Sequence, residues 1–396
     1  MSYSEWKTTK LFELINTVSE TYKFSENQTV VLVNTSDILE GKVLNHSKVF
    51  PVNVAGQFKK TFKRNDILYS EIRPANKRYA YIDFESNNYV ASTKLMVLRT
   101  KSKDIYNKFL YHFLKSNDTL KTLQAVAESR SGTFPQITFT ELSNLEINLP
   151  TLKEQQAIAN ILSSLDDKIE LNNKINKNLE ELAQTLYKHW FVDFEFPNEE
   201  GLPYKSSGGK MVESELGLIP EGWEIREQGD YFPVITGKKN ANYATLDGKF
   251  KFFTCSQQVF QAPDYSFDGT AILVAGNGDF NVKYYSGKFE AYQRTYVLIP
   301  KNSNLAGLFY FMIKENLNKI TSGHRGSVIK FITKGDLENY KIITPDNEKL
   351  EKFSYYFTNI INTTEHNKSE NEKLTKLRDL LLPKLMSGEI KVPIKE

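Results

Sequence analysis

The sequence predicts a mixed α/β (α+β) protein built as two similar halves, a pseudo-twofold internal repeat, and three observations predict it. First, SRSGTFPQITFTELSNLEINLP, ending at Pro150, matches GHRGSVIKFITKGDLENYKIITP, ending at Pro345, at a constant offset of 195 residues. Arg130 falls on Arg325, Ile137 on Ile332, Glu141 on Asp336, Leu142 on Leu337 and Ile147 on Ile342. Second, the register continues into a heptad-like stretch, where Ile158, Leu165, Leu179 and Leu186 fall on Phe353, Ile360, Leu374 and Leu381. Third, short β-branched runs and helical apolar spacings alternate ahead of each repeat. Two similar binding units on one chain imply a target with two halves.

In chain order, TVVLVNT (29–35), NDILYSEI (65–72) and KLMVLRT (94–100) read as strands bounded by turn residues. YNKFLYHFLKS (106–116) and LFYFMIKENL (308–317) carry helical spacing. ILYS (67–70) is echoed by ILVA (272–275), and MVLRT (96–100) by YVLIP (296–300), at slightly different offsets, so loops differ in length between copies. Thr151 with Glu154 forms a capping box that opens a long helix. Its seam runs through Ile158, Leu162, Leu165, Ile169, Asn172, Asn176, Leu179, Ala183, Leu186 and Trp190. The copy uses Phe353, Phe357, Ile360, Thr364, Asn367, Asn371, Leu374, Arg378, Leu381 and Leu385. Both seams turn polar midway, as residues that fix register in a coiled coil do. The expected divisions are a first unit over 1–150, a long helix over 151–196, a Gly/Ser/Pro-rich linker with the second unit over 197–345, and a second long helix over 346–396. The helices pair as an antiparallel coiled coil, or each packs on its own unit.

Composition narrows the class. A hydrophobic share of 40%, with 26 Phe and 21 Tyr, provides for real cores. Cys255 is the single cysteine, which excludes an internal disulfide and a cysteine-rich zinc cluster. The opening MSYSEWKTTKLF lacks a signal-peptide core, and no apolar run approaches membrane-spanning length, so a soluble cytoplasmic protein is expected. Residues 1–149 hold 20 Lys/Arg against 15 Asp/Glu, and 200–345 hold 17 against 15, whereas 153–196 hold 5 against 8. Basic units suit a phosphate backbone, and the acidic helix suits protein or solvent.

Catalytic signatures are sparse. The chain has no GxxxxGK[ST] loop and no adenine-methyltransferase tetrad. VAGNGDF (274–280) has GxG without a third glycine, and a strand-to-turn junction accounts for it. His46, His112, His189, His324 and His366 show no HxxxH spacing, so no metal site is expected. The chain is expected to perform no bond chemistry.

LPTLKEQQAIANILSSLDDKIELNN (149–173), LYKHWFVDFEFP (186–197), ELGLIPEGWE (215–224) and LRDLLLPKLMSGEI (377–390), in that order, resemble the specificity subunit of type I restriction–modification enzymes. The resemblance implies two target-recognition domains, each reading one half of an asymmetric bipartite site in double-stranded DNA, separated by two long helices that set the spacer. It also implies docking of two methyltransferase (M) subunits, with motor-nuclease (R) subunits joining that core. S-adenosylmethionine, ATP and magnesium are then expected on the partner subunits, with no cofactor in this chain and no membrane contact. One departure stands out: Pro150, Leu152, Glu154 and Gln155 carry the family signature, but the second copy reads PDNEKLEKF (345–353). Two rivals are weighed: a structural adaptor that organises a complex without reading DNA, and a self-contained endonuclease, for which no motif is found.

Candidate DNA-contacting residues follow from chemistry, since Arg and Lys hold phosphates while Arg, Asn, Gln, Ser and Thr read base edges. In the first unit these are Lys59, Lys60, Lys63 and Arg64, then Arg73, Asn76, Lys77 and Arg78 after a strand. In the second they are Asn277, Asp279, Asn281 and Lys283 after the corresponding strand, with Gln293 and Arg294. A small-residue loop with an arginine adds Arg130, Ser131, Gly132 and Thr133, matched by Arg325, Gly326 and Ser327, and suits phosphate positioning or a tight turn. Tyr187, Trp190 and Phe191 at one helix end, and Leu381, Leu382 and Leu385 at the other, either cap the bundle or dock the methyltransferase subunits.

Overall fold

A computed structural model describes residues 6–25, 27–52, 54, 56–130, 132–322 and 330–394. The chain divides into two compact units, one made of residues 1–170 with 371–396, the other of 171–370.

In the first unit, the β-branched runs become a four-stranded sheet in the order Ile15–Thr17, Leu95–Thr100, Ile67–Ser70, Tyr79–Tyr81. A second sheet of four pairs Val30–Val33 in parallel with Tyr89–Ser92, with Lys48–Val49 and Phe58–Lys60 at its edges. The strand Lys7–Lys10 runs antiparallel to Glu146–Leu149. The predicted helix appears at Asn107–Leu114 and is followed by Asn117–Arg130. Phe109, Leu110, Leu123, Ile137 and Leu142 pack with Ile158 and Leu162 of the first long helix and Leu382 and Leu385 of the second.

The second unit repeats the plan with longer strands. Val234–Thr236, Thr295–Leu298 and Phe267–Ala275 are neighbours in the same antiparallel order, and Val282–Ala291, Phe250–Phe253 and Phe260–Ala262 extend the sheet to six strands. Glu224–Glu227 runs antiparallel to Lys341–Thr344, the counterpart of the strand pair in the first unit. The sequence echoes prove to be paired strands: Met96 lies opposite Tyr69, and Val297 opposite Leu273. Helix Ala306–Ile320 packs Leu308, Phe309 and Met312 into a core shared with Ala183, Trp190, Phe353 and Phe357.

The long helices are Leu152–Tyr187, ending in a π-helical turn at Lys188–Val192, and Asn347–Ser387. They meet in antiparallel register inside each unit. In the first, Arg378 donates to Asp166 (2.9 Å). In the second, Asn172 Nδ2 donates to Glu370 (2.7 Å), and Asn367 Nδ2 donates to Asn176 (2.8 Å). The polar midpoints therefore bond across the helix pair.

The departure in the second signature has a physical content. Thr151 N–H donates to Glu154 (2.9 Å) as the sequence predicts, whereas Asp346, in the position of Thr151, accepts from the Lys349 N–H (3.0 Å). Both are N-caps built from different side chains. Gln155 is fully buried, accepting from Tyr106 N–H (2.8 Å) and donating to the carbonyls of Asp104 (2.8 Å) and Pro150 (3.0 Å). Its counterpart Leu350 is equally buried in an apolar core. Asp346→Ala is expected to lower stability by about 1 kcal/mol, read as a shift in thermal melting, while Lys349→Ala leaves the cap's acceptor in place and melts as wild type.

Candidate nucleic-acid interface

In both units the turn after the central strand is stitched to the segment before a short capped helix. In the first unit Ile72 bridges Gln136, the Arg73 N–H donates to the Pro135 carbonyl (3.0 Å), and the Ile137 N–H donates to the Glu71 carbonyl (2.9 Å). In the second, Asn277 bridges Phe331, the Gly278 N–H donates to the Lys330 carbonyl (3.0 Å), and the Ile332 N–H donates to the Gly276 carbonyl (3.0 Å). The short helices that follow, Phe139–Ser143 and Lys334–Glu338, are capped alike: Thr138 N–H donates to Glu141 (2.5 Å) and Thr333 N–H to Asp336 (2.7 Å). The backbone stitch is shared, while the turns mounted on it differ in side chains and in length, with a 3-10 turn at Pro74–Asn76 in the first unit alone among the described residues.

On the first turn, Arg73 and Lys77 flank the 3-10 turn Pro74–Asn76 with φ of 44° and 54°. This left-handed region costs a non-glycine residue roughly 1 kcal/mol or more. Gln124 holds the turn by accepting from the Ala75 N–H (3.0 Å). Arg73 is exposed, with one loose bond to the Thr133 carbonyl (3.5 Å), so the Arg73 turn and the Gly132–Thr133 loop do come together. Asn76 is exposed, and Lys77 pairs with Glu40 (3.0 Å).

Several expected contacts have their donors engaged inside the fold. Arg78 donates to the carbonyls of Ser36 (2.9 Å) and Ile38 (3.0 Å). Lys60 donates to those of Thr93 (2.9 Å) and Leu95 (2.8 Å), and burial lowers its pKa. Arg130 ends a helix rather than sitting in a loop, and pairs with Glu141 (2.5 Å). Lys63 and Arg64 are exposed but precede the strand Ile67–Ser70, while Arg73 follows it, so the two sets lie at opposite strand ends. Lys59 is exposed beside Lys60.

On the second turn, Asn281 is buried and donates to the carbonyls of Cys255 (2.8 Å) and Asp279 (2.8 Å). Lys283 bonds the Asn281 side chain, and burial lowers its pKa. Asn277 is half-buried, while Asp279, Gln293 and Arg294 are exposed. A side chain at Gly276 would press within 2.5 Å of the Arg294 carbonyl, so this close approach requires glycine. Ser131, Arg325, Gly326 and Ser327 lie outside the described residues.

The docking expectation at the helix ends needs correction. Tyr187, Trp190, Phe191, Leu382 and Leu385 are buried in the cores of their own units, and Leu381 is partly buried there. Their apolar area is already removed from water, leaving little for a partner.

The sequence matches the family described as "Type I restriction modification DNA specificity domain" over residues 3–181 and again over 220–376. The chain belongs to this family. It is 32% identical to the type I restriction enzyme HindI specificity subunit of Haemophilus influenzae, over 98% of this chain and 100% of that protein. It is 36% identical to the EcoDI specificity subunit of Escherichia coli over 44% of this chain and 40% of that one. A crystal structure of the type I restriction–modification S subunit from M. genitalium shares the fold, with a TM-score of 0.60 at 18% identity, covering 97% of this chain and 96% of that one. The role of a specificity subunit is DNA sequence recognition, and the adaptor reading is not favoured. No helix among the described residues is long and apolar enough to cross a membrane.

For a specificity subunit, sequence reasoning passed over two groups. Lys94 reaches Gln136 (3.3 Å) beside the first stitch. Gln257 donates to Asp279 (3.3 Å) on the second turn. Neither stands in a charged run: Lys94 sits in a turn and Gln257 in a bend, and each reaches the site through a side-chain contact with a segment distant in sequence.

Proposed function

We propose that residues 1–150 and 197–345 each read one half of an asymmetric bipartite site in double-stranded DNA. The two long helices set the spacer between the halves and dock two methyltransferase subunits, to which motor-nuclease subunits attach. The chain itself is non-catalytic and acts in the cytoplasm. The observation that carries this reading is the repeated stitch: identical backbone bonding at 71–73 with 135–137 and at 276–278 with 330–332, mounted with different side chains. A common frame with variable side chains suits two half-sites of different sequence. Among the sequence candidates, Arg73, Asn76, Asp279, Gln293 and Arg294 supply exposed base-edge or phosphate contacts, and Lys59 holds a phosphate. Docking falls to apolar side chains that the long helices expose, such as Leu182 and Leu380.

The deciding experiment co-expresses the chain with its methyltransferase and maps methylated adenines by single-molecule sequencing. A split, asymmetric motif that vanishes on deleting this chain is expected; unchanged methylation would refute the reading. Within that assay, Arg73→Ala is expected to cost about 1–3 kcal/mol of DNA affinity and to relax selection at one half-site only. Lys59→Ala should weaken binding to all sequences alike and lower the salt slope by about 1.

A further inference from the structure

The helices read from YNKFLYHFLKS and LFYFMIKENL share a feature that DNA contact does not use: a tyrosine followed four residues later by a lysine, Tyr111 with Lys115 and Tyr310 with Lys314. Four residues is one helical turn, so the two side chains sit on one face. Lys115 Nζ lies 5.0 Å from the Tyr111 ring centre, and Lys314 Nζ 5.5 Å from that of Tyr310. Both lysines then form an ion pair with an acid of the same element, the first long helix: Lys115 with Asp166 in the first unit, Lys314 with Glu180 in the second.

The first of these pairs is largely buried and the second half-buried. The Lys115 side chain is 9% exposed and Asp166 27%, while Lys314 and Glu180 are 33% and 31% exposed. Burial opposes the Asp166 charge, but Lys115 and the Arg378 guanidinium outweigh it and hold its pKa low. Burial also opposes the Lys314 charge, and Tyr310 and Glu180 outweigh it. Asn316 adds a bond to the Tyr187 hydroxyl (2.9 Å), again reaching from the same unit's helix to the first long helix. Two of the eight carboxylates over 153–196, Asp166 and Glu180, thus face these lysines of the units.

We propose that Lys115–Asp166 and Lys314–Glu180 are positioning clasps, each fixing its recognition unit on the first long helix so that the complex accepts one spacer length. The inference rests on the bipartite reading above and names the residues that give it rigidity. Side chains at the clasps touch no DNA in this assignment; they act through the angle at which the reading turns are held.

The test uses the chain in complex with its methyltransferase and three duplexes: the mapped target, and the same half-sites with the spacer shortened or lengthened by one base pair. Lys314→Met and Glu180→Gln are each expected to reduce the preference for the native spacer at least fivefold, with base preference at both half-sites unchanged. The exchange Lys314→Glu with Glu180→Lys should restore that preference. Equal loss of methylation on all three duplexes, or unaltered spacer preference in Glu180→Gln, would overturn the proposal. If Lys314→Met fails to assemble, Glu180→Gln decides alone, since it keeps the side-chain volume at a partly exposed position. A wild-type complex that treats the three duplexes alike would overturn the spacer reading, and the clasps with it; failure confined to the variants leaves the bipartite reading intact.

Discussion

Trp190→Ala is expected to destabilise the protein by about 3–5 kcal/mol, the range for removing a large aromatic from a packed core. Trp190 is 8% exposed, and its ring centre lies 4.9 Å from that of Phe353, 5.4 Å from Tyr356 and 6.3 Å from Phe357. It projects from the π-helical turn Lys188–Val192, where the extra residue per turn re-aims the side chain at the end of the helix. Its removal leaves a void between helices that cannot close without moving Phe353. Urea unfolding followed by circular dichroism measures the loss. Leu182→Ala is the control: Leu182 is 54% exposed on the same helix, and its truncation should stay within about 0.5 kcal/mol.

The second large effect concerns acid. His112 is 1% exposed, its Nε2 is 3.1 Å from the Ser163 hydroxyl, and its Nδ1 has no hydrogen-bond partner among the described residues. Burial, then the Lys115 ammonium, lower its pKa from 6.5 to about 3; Asp166 opposes this, while Lys108 and Arg378 add to it. The folded protein therefore holds a neutral imidazole that the unfolded chain protonates first. The stability this histidine permits is complete above pH 6.5 and is lost as the pH falls toward about 3. At pH 5 the loss is about 2 kcal/mol, from about 1.36 kcal/mol per pKa unit. The second unit holds Phe311 in the corresponding place, also buried. His112→Phe should flatten the decline in stability between pH 6.5 and pH 4, as followed by thermal melting across that range. An unchanged slope would assign the acid sensitivity to other groups.

What could be read in advance followed periodicity. The strands at 67–70 and 95–100 and the long helices are marked by local apolar spacing, and the 195-residue offset carried the same plan to the second unit. The site was legible less evenly. Arg73 and Asn76 were marked by a charged turn after a strand, and they are exposed there. Arg78 looks the same in sequence, yet its guanidinium is committed to Ser36 and Ile38 carbonyls from a segment some forty residues earlier. No local pattern encodes which arginine finds a buried carbonyl. The helix-end aromatics show the same limit: Tyr187, Trp190 and Phe191 have the composition of a docking patch, and only the partner helix decides that they are core. Lys94 and Gln257 carry no local signal because loop-to-loop side-chain contacts, 42 and 22 residues apart in sequence, give them their place.

The division of the chain has a genetic consequence. One unit is a continuous stretch, residues 171–370, while the other closes only when residues 371–396 return to residues 1–170. Leu382 and Leu385 are the returning core residues. A premature stop codon near residue 371 would therefore spare the nearer reading unit and cripple the one translated first. Truncation alleles at the end of the gene should read out as unfolding confined to the amino-terminal unit, with the proposed docking side chain Leu380 lost along with it.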